Sequence, residues 1–238
     1  MKYFDRTFPT PAENLAADEA LMDLCEKGLE GEILRFWEPQ TPFVVLGYAN
    51  QAAREVNLEA CQQAGIPVFR RCSGGGTVVQ GPGCLNYSLV LRMETGPLTS
   101  ITGTNKFIMQ RHAAAMEPLL KAAAQVRGHT DLALQNLKFS GNAQRRLRNC
   151  LIFHGTFLLD FDLSLVEKLL PMPSKQPCYR ENRSHTDFLT NLKLPSADVK
   201  LALRGIWNAE HPLTNVPAEK IRELVSARYS RPDWNLKF

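Results

Sequence analysis

The chain contains no apolar run long enough to cross a bilayer. Its opening stretch, MKYFDRTFPTPAENL, has no apolar core behind the first charges and so no signal peptide. Both absences point to the cytoplasm and away from a membrane. Cysteine is sparse: the six residues at positions 25, 61, 72, 84, 150 and 178 include no C-x-x-C pair. That excludes the common zinc and thioredoxin-like arrangements, and in a reducing compartment the six read as free, mostly buried thiols. Neither sign of charge dominates, and a net +4 gives no ground by itself for a nucleic-acid partner. No internal repeat or low-complexity tract is present.

What remains is an ordinary globular composition, 44% hydrophobic and 22% charged over 238 residues. Thr10-Pro11-Ala12-Glu13 predicts a helix start with a capping box, followed by a buried stripe of Ala17, Ala20, Leu21 and Leu24 and a stop at Gly28. Strands are expected at Ile33–Trp37, Phe43–Gly47, Pro67–Arg71, Thr77–Gln80, Cys84–Arg92, Leu132–Gln135, Leu137–Gln144 and Cys150–Asp162. Gly81-Pro82-Gly83 reads as a hairpin turn between the fourth and fifth of these. Helices are expected at Asn57–Gly65, 104–125, Leu163–Leu170, Ser196–Asn208 and Pro217–Ser230. PMPSKQPCYRENRSHTDF, from Pro171, has the composition of a mobile surface loop. The sum is an α+β fold, a mixed, mostly antiparallel sheet with packed helices. It forms one domain over residues 1–238, with a core at about 12–170 and a helical C-terminal extension at 171–238.

Three stretches carry chemistry. RRCSGGGTVVQGPGCLN, residues 70–86, places Gly74, Gly75 and Gly76 behind Arg70 and Arg71. Three side-chain-free residues in a strand-like stretch forfeit packing, but they let a ligand reach main-chain N–H groups, which suits phosphate or carboxylate. Arginine adds a charged donor for the same groups. No Gly-Lys-Ser/Thr follows, so this is not a Walker A loop, and no helix follows as in a dinucleotide fingerprint. LKFSGNAQRR, residues 137–146, brings Lys138 beside the open backbone of Gly141, with Asn142 and Gln144 sharing a face. A lysine so placed can neutralise charge developing on a carbonyl or phosphoryl oxygen, although solvation is the commoner fate of lysines. FHGTFLL sets His154 and Gly155 on an apolar strand, where a lone histidine is most often structural. Basic residues gather at Arg145, Arg146 and Arg148 and at Arg180 and Arg183; they read either as a solvated surface or as an electropositive rim for phosphate or an acidic partner.

Taken in order, RRCSGGGTVVQGPGCLN, TDLALQNLKFSGNAQRR and FHGTFLL resemble the hallmark segments of the lipoate–protein ligase A family, within the biotin and lipoate ligase superfamily. NLAADEAL and RFWEPQTPFVVLGYANQ extend the resemblance to roughly residues 12–162. The resemblance implies an enzyme that activates lipoate or octanoate with ATP and Mg²⁺ to an acyl-AMP and transfers the acyl group to a carrier lysine. The acceptor would be a lipoyl carrier domain of a 2-oxoacid dehydrogenase or of a glycine-cleavage H-type protein. It also implies roles residue by residue. Arg70, Arg71, Ser73, Gly74, Gly75, Gly76 and Asn86 would line the acyl and adenylate site, joined by Ser140, Gly141, Asn142, Ala143, His154 and Gly155. Lys138 would be the essential lysine and Asp131 the acidic residue of the nucleotide and Mg²⁺ region. Val78, Leu85 and Phe139 are expected walls of an apolar acyl slot.

The chain departs from the family pattern at Gln80, where a histidine is common, and at Thr130, where an asparagine precedes the aspartate. About 75 residues after Leu163 do not resemble the accessory domain of bacterial ligases, so adenylation would proceed without it or with a separate subunit. Two alternatives stay open: an ATP-independent octanoyl or lipoyl transferase using a cysteine thioester, and a non-catalytic homologue that binds lipoyl domains. Cys150 lies four residues before His154, in the register of neither transferase branch, and reads as structural.

Overall fold

Helix α1 (Pro11–Glu26) starts as its capping chemistry dictates. In the computed structural model of the chain, which describes residues 1–94 and 96–238, the Thr10 hydroxyl accepts from the Glu13 amide at 3.2 Å and Glu13 Oε2 accepts from the Thr10 amide at 2.9 Å. The helix does not bury a single stripe. Asn14 through Met22 are all buried, polar residues included, because α1 is covered on both sides.

One side is an eight-stranded sheet in the order β11 (His211–Pro212), β1 (Lys2–Asp5), β2 (Ile33–Trp37), β6 (Cys84–Arg92), β10 (Cys150–Leu158), β9 (Leu137–Arg146), β8 (Asp131–Leu134) and β7 (Gln125–Arg127). Its pairings are antiparallel except for β11 with β1 and β1 with β2. A second, three-stranded sheet has the order β4 (Val68–Arg70), β3 (Phe43–Leu46), β5 (Val78–Gln80). The expected hairpin of residues 77–92 is therefore absent: β5 and β6 belong to different sheets. Gly81-Pro82-Gly83 carries the chain between them, and Gly83 (φ +88°) lies so close to Asp160 that a Cβ would stand 2.2 Å from its carbonyl oxygen.

Period-two patterning decides which face each strand residue takes. Leu89, Phe153 and Phe157 point to a core closed by α4 (Ile101–Leu120) and α7 (Ser196–Ile206), joined there by Leu85 and Phe139. Val90, Cys150 and Ile152 point the other way, against Leu21, Met22 and Cys25 of α1. Helix α4 starts at Ile101, three residues earlier than the sequence suggests, because Ser100 caps it through the Gly103 amide at 3.0 Å. Short helices α2 (Ala52–Glu55), α3 (Leu58–Gln63) and α5 (Ser164–Leu169) flank the smaller sheet.

The C-terminal segment is not an appended extension. Strand β11 joins the main sheet, and Ile221 and Leu224 of α8 (Ala218–Leu224) cover the outer side of α1. The π-helical turn Val225–Tyr229 brings the Tyr229 hydroxyl to Glu19 (2.8 Å). Segment 171–188 likewise packs rather than floats. It holds a short turn at Cys178–Arg180 and helix α6 (His185–Phe188), and Arg183 donates to the carbonyls of Tyr179 (2.8 Å) and Asn136 (3.1 Å).

Candidate active site

Cross-strand register lines up two rows on the α1 side of the main sheet. One row is Arg35, Ser88, His154 and Ala143; the next is Trp37, Asn86, Thr156 and Gly141. The smaller sheet stands over the second row, and between them lies a cavity of about 910 Å³. Its walls include Leu15, Trp37, Val45 and Val78 at an apolar part, and Gly75, Gly76, Lys138, Asp131, Gly141 and Tyr179 at a polar one. A space of this size takes a medium-chain acid together with a larger polar group.

Lys138 reaches this cavity because Gly141 lacks a side chain. A Cβ there would meet the lysine Cε and Nζ at 2.8 Å. The ammonium is 2.7 Å from Asp131 Oδ1, and Asp131 Oδ2 accepts from the Tyr179 hydroxyl at 2.8 Å. Burial, and then the neighbouring Asp131 carboxylate, push the Tyr179 phenol well above its ordinary value. The segment from Pro171 is thus fastened at the lysine itself, helped by Arg127 stacked on the Tyr179 ring at 5.5 Å.

The glycine loop stands opposite. Arg71, buried beneath it, donates to the carbonyls of Gly74 (2.6 Å) and Gly76 (2.8 Å), and burial lowers its guanidinium to about 10. Turning the carbonyls down toward this cation leaves the N–H groups of Gly74, Gly75 and Gly76 with no acceptor among the described residues. Gly75 has φ +88°, and a Cβ there would strike Arg71 Nη2 at 2.9 Å and Ala143 Cβ at 3.2 Å. Loop and β9 therefore touch where the lysine strand passes.

Below the cavity three side chains close a ring. Gln80 Nε2 donates to Thr156 Oγ1 (2.6 Å), Thr156 donates to Asn86 Oδ1 (2.5 Å), and Asn86 Nδ2 donates to Gln80 Oε1 (3.0 Å). The departure at Gln80 is thus absorbed by a self-satisfied polar floor. Thr130, the other departure, donates to the Asn142 carbonyl (2.7 Å) and ties the turn before β8 to β9.

Several expectations are corrected. Arg70 does not face the cavity; its guanidinium donates to the carbonyls of Gly47, Tyr48, Asn50 and Trp234 inside the protein. Arg71 is on the cavity wall, but its Nε and Nη2 donors are engaged by the loop and Nη1 lies 3.5 Å from the Val45 carbonyl. Ser73 and Gly74 stand beside the wall, not on it. Asn142 and Gln144 do share a face, but it is the α4 side, where Asn142 accepts from Tyr87 (2.5 Å) and Gln144 donates to Asn105 (2.6 Å). Asn142 still shows at the cavity because Gly155 lacks a Cβ, which would fall 1.7 Å from its Oδ1. Ser140, Ala143, His154 and Gly155 lie on the wall. Val78 is a wall residue, whereas Leu85 and Phe139 are fully buried in the opposite core. The basic rim is largely consumed inward, Arg145 on Glu19 (3.0 Å), Arg146 on the Leu98 carbonyl (2.6 Å) and Arg180 on the Arg183 carbonyl (3.0 Å).

Sequence reasoning missed Asp18 and Arg35. Burial would push the Asp18 carboxyl up, but the buried Arg35 guanidinium and His154 outweigh it and hold the group below the usual carboxylate range. The available signal was Asn14 and Asp18, four residues apart on an alanine-rich helix, a spacing that puts both on one helical face.

Magnesium does not fit as a protein-held ion. Asp131 supplies one carboxylate with both oxygens engaged, and no cluster of three His, Cys, Asp or Glu side chains able to hold a metal occurs among the described residues.

A lysine and an open glycine loop thus line one cavity that also has apolar walls. The model of the lipoyl protein ligase A/B catalytic domain matches residues 10–201, and the chain belongs to that family. Octanoyltransferase LipM of Brevibacillus brevis is 26% identical, over 96% of this chain and 95% of its own. Lipoate-protein ligase LplJ of Bacillus subtilis is 27% identical, over 94% of this chain and 70% of its own. The crystal structure of a lipoate-protein ligase A bound with ATP superposes with a TM-score of 0.84 at 24% identity, over 99% of each chain, and shares the fold.

Proposed function

We propose that the chain is a lipoate–protein ligase acting on lipoate or octanoate, ATP and a lysine of a lipoyl carrier domain. The observation that carries this reading is the one cavity lined by Lys138 and by Gly75 and Gly76, whose amides have no acceptor among the described residues. A carboxylate is a poor electrophile. Its oxygen attacks the α-phosphorus of ATP, pyrophosphate leaves, and an acyl-AMP anhydride results. The carrier lysine, as a free amine, then attacks the acyl carbon; the bond to the phosphate oxygen breaks, AMP departs, and the amine gives up a proton. Negative charge gathers first on the α-phosphate oxygens and then on the acyl oxygen. Preorganised amides and one ammonium answer both, and removing one such donor costs on the order of 100-fold in rate. The chain beyond the carbonyl has the apolar walls of Leu15, Trp37, Val45 and Val78.

The test is isotope exchange between pyrophosphate and ATP in the presence of lipoate, followed by mass spectrometry of a carrier-domain lysine. Lys138→Ala should abolish both signals and leave the circular dichroism spectrum unchanged. Exchange absent from the unaltered protein, even with an accessory subunit supplied, rejects the ligase.

A second reading has its own observation. The relative from Brevibacillus brevis is named an octanoyltransferase, and a thioester route needs a thiol at the cavity. Cys150 is enclosed, and contact with Cys25 together with burial raises its thiol far above the ordinary value. Among the described residues, the cysteine that is both exposed and on the cavity wall is Cys178. The transferase therefore predicts that Cys178→Ser ends carrier acylation and that acylation needs no ATP. The ligase predicts that Cys178→Ser keeps its activity within about threefold, since surface changes seldom exceed about 0.5 kcal/mol.

A further inference from the structure

A hydrogen-bonded line crosses the molecule from helix α1 to the glycine loop. Arg35, fully buried, pairs with Asp18 Oδ1, and Asp18 Oδ2 lies 3.1 Å from His154 Nδ1. His154 Nε2 lies 2.5 Å from Ser73 Oγ, and Ser73 Oγ accepts from Arg71 Nε at 3.1 Å. An ionised Asp18 accepts from Nδ1, and Nε2 makes the bond to Ser73 Oγ, which already accepts from Arg71 Nε. The Ser73 carbonyl accepts from the Tyr48 amide at 2.8 Å.

We infer that Asp18 and His154 are positioning residues that hold the glycine loop in shape through the Ser73 hydroxyl, a deepening that rests on the function proposed above. Two side chains hold the loop. Arg71 grips its carbonyls from inside, and His154 ties its first residue to strand β10. Asp18 fixes the orientation of the imidazole that makes the second tie. The constellation has the connectivity of a serine nucleophile with its base and orienting acid. Its placement differs. Ser73 is 1% exposed, is not on the cavity wall, and has its oxygen engaged by Arg71, so its work is to hold, not to attack.

The experiment compares unaltered protein, Ser73→Ala, His154→Asn and Ser73→Ala/His154→Asn by hydrogen–deuterium exchange and by pyrophosphate exchange with lipoate and ATP. Asparagine keeps a donor near Asp18 but leaves Ser73 without its imidazole partner. Each single variant should speed exchange at the Tyr48 amide, which donates to the Ser73 carbonyl, by about tenfold, the worth of one such bond, and lower kcat similarly. KM for lipoate should stay within about twofold, because the apolar walls are untouched. The double variant should be no worse than the weaker single one. Additive losses, unchanged exchange at the Tyr48 amide, or an acyl group found on residue 73 would each overturn the inference. The amide measurement needs no turnover, so it decides the positioning role even if the unaltered protein gives no pyrophosphate exchange, the result that removes the ligase reading instead.

Discussion

At the scale of single residues, the glycines of this site act by what they leave out. Gly141 makes room for the lysine amine, Gly155 for the Asn142 amide, and Gly75 for the Arg71 guanidinium. Of these, Gly141 gives the cleanest experiment, because the atoms a methyl group would strike are the far end of a flexible chain. Gly141→Ala should therefore displace the ammonium of Lys138 and spare the fold. We expect kcat to fall about tenfold or more, as for a misplaced catalytic group, with a melting temperature within a few degrees of the unaltered protein. A large loss of stability with unchanged kcat would show that the methyl group is accommodated elsewhere. Gly75, Gly76 and Lys138 were legible in the sequence as residues that share a cavity, because residue type and chemistry coincide there. Arg70 and Arg71 were not separable: neighbouring strand residues face opposite ways, and nothing in the pair says which faces the loop. Asp18 was invisible for a related reason, since its partners lie 17 and 136 residues away.

At the scale of elements, most strands and the capped first helix were legible from alternation and cap chemistry. The short strands β1 and β7 were not, because four and three residues carry too little pattern. The joint between α4 and α7 holds a group that no sequence pattern singles out. His112 is fully buried, its Nε2 accepts from Trp207 Nε1 at 2.9 Å, and burial lowers it from 6.5 to about 3. A depressed value means the unfolded chain binds the proton that the folded one refuses. This contribution to stability is complete above about 6.5 and is lost as pH falls toward about 3, amounting to about 2 kcal/mol by about pH 5. His185, also lowered by burial, adds loss of the same sign, while Asp18 adds its own only below its ordinary 3.8. His112→Gln keeps an acceptor for the indole and does not titrate. Thermal melts from pH 7 to about pH 4.5 should fall less steeply for this variant. Parallel slopes would place the acid sensitivity elsewhere.

At the scale of the whole molecule, the site exists because two sheets and a returning C-terminus meet, and no local pattern encodes that meeting. Gly81-Pro82-Gly83 looks like a hairpin turn in sequence and is a crossover in space; the difference lies in what β3 and β10 offer as partners. The same holds for residues 217–238, which read as a helical extension yet complete the core around α1. Ile221, Leu224 and Tyr229 are buried against it, the Asn235 side chain accepts from the Arg70 amide at 3.0 Å, and the Trp234 carbonyl accepts from Arg70 Nε at 3.2 Å. Burying three such side chains contributes on the order of 5 kcal/mol, a large part of the roughly 5–15 kcal/mol that holds a domain together. Removing the segment also exposes Glu19 and leaves the buried Arg70 amide unpaired, and Arg70 directly precedes the residue that grips the glycine loop. Truncation after Val216 should thus abolish a cooperative thermal transition, or lower its midpoint by more than about 10 °C, and take pyrophosphate exchange with it. A soluble fragment that melts near the full chain and retains exchange would mean that the loop and lysine are held by the first 216 residues alone, and that the C-terminal helices serve some surface the cavity does not need.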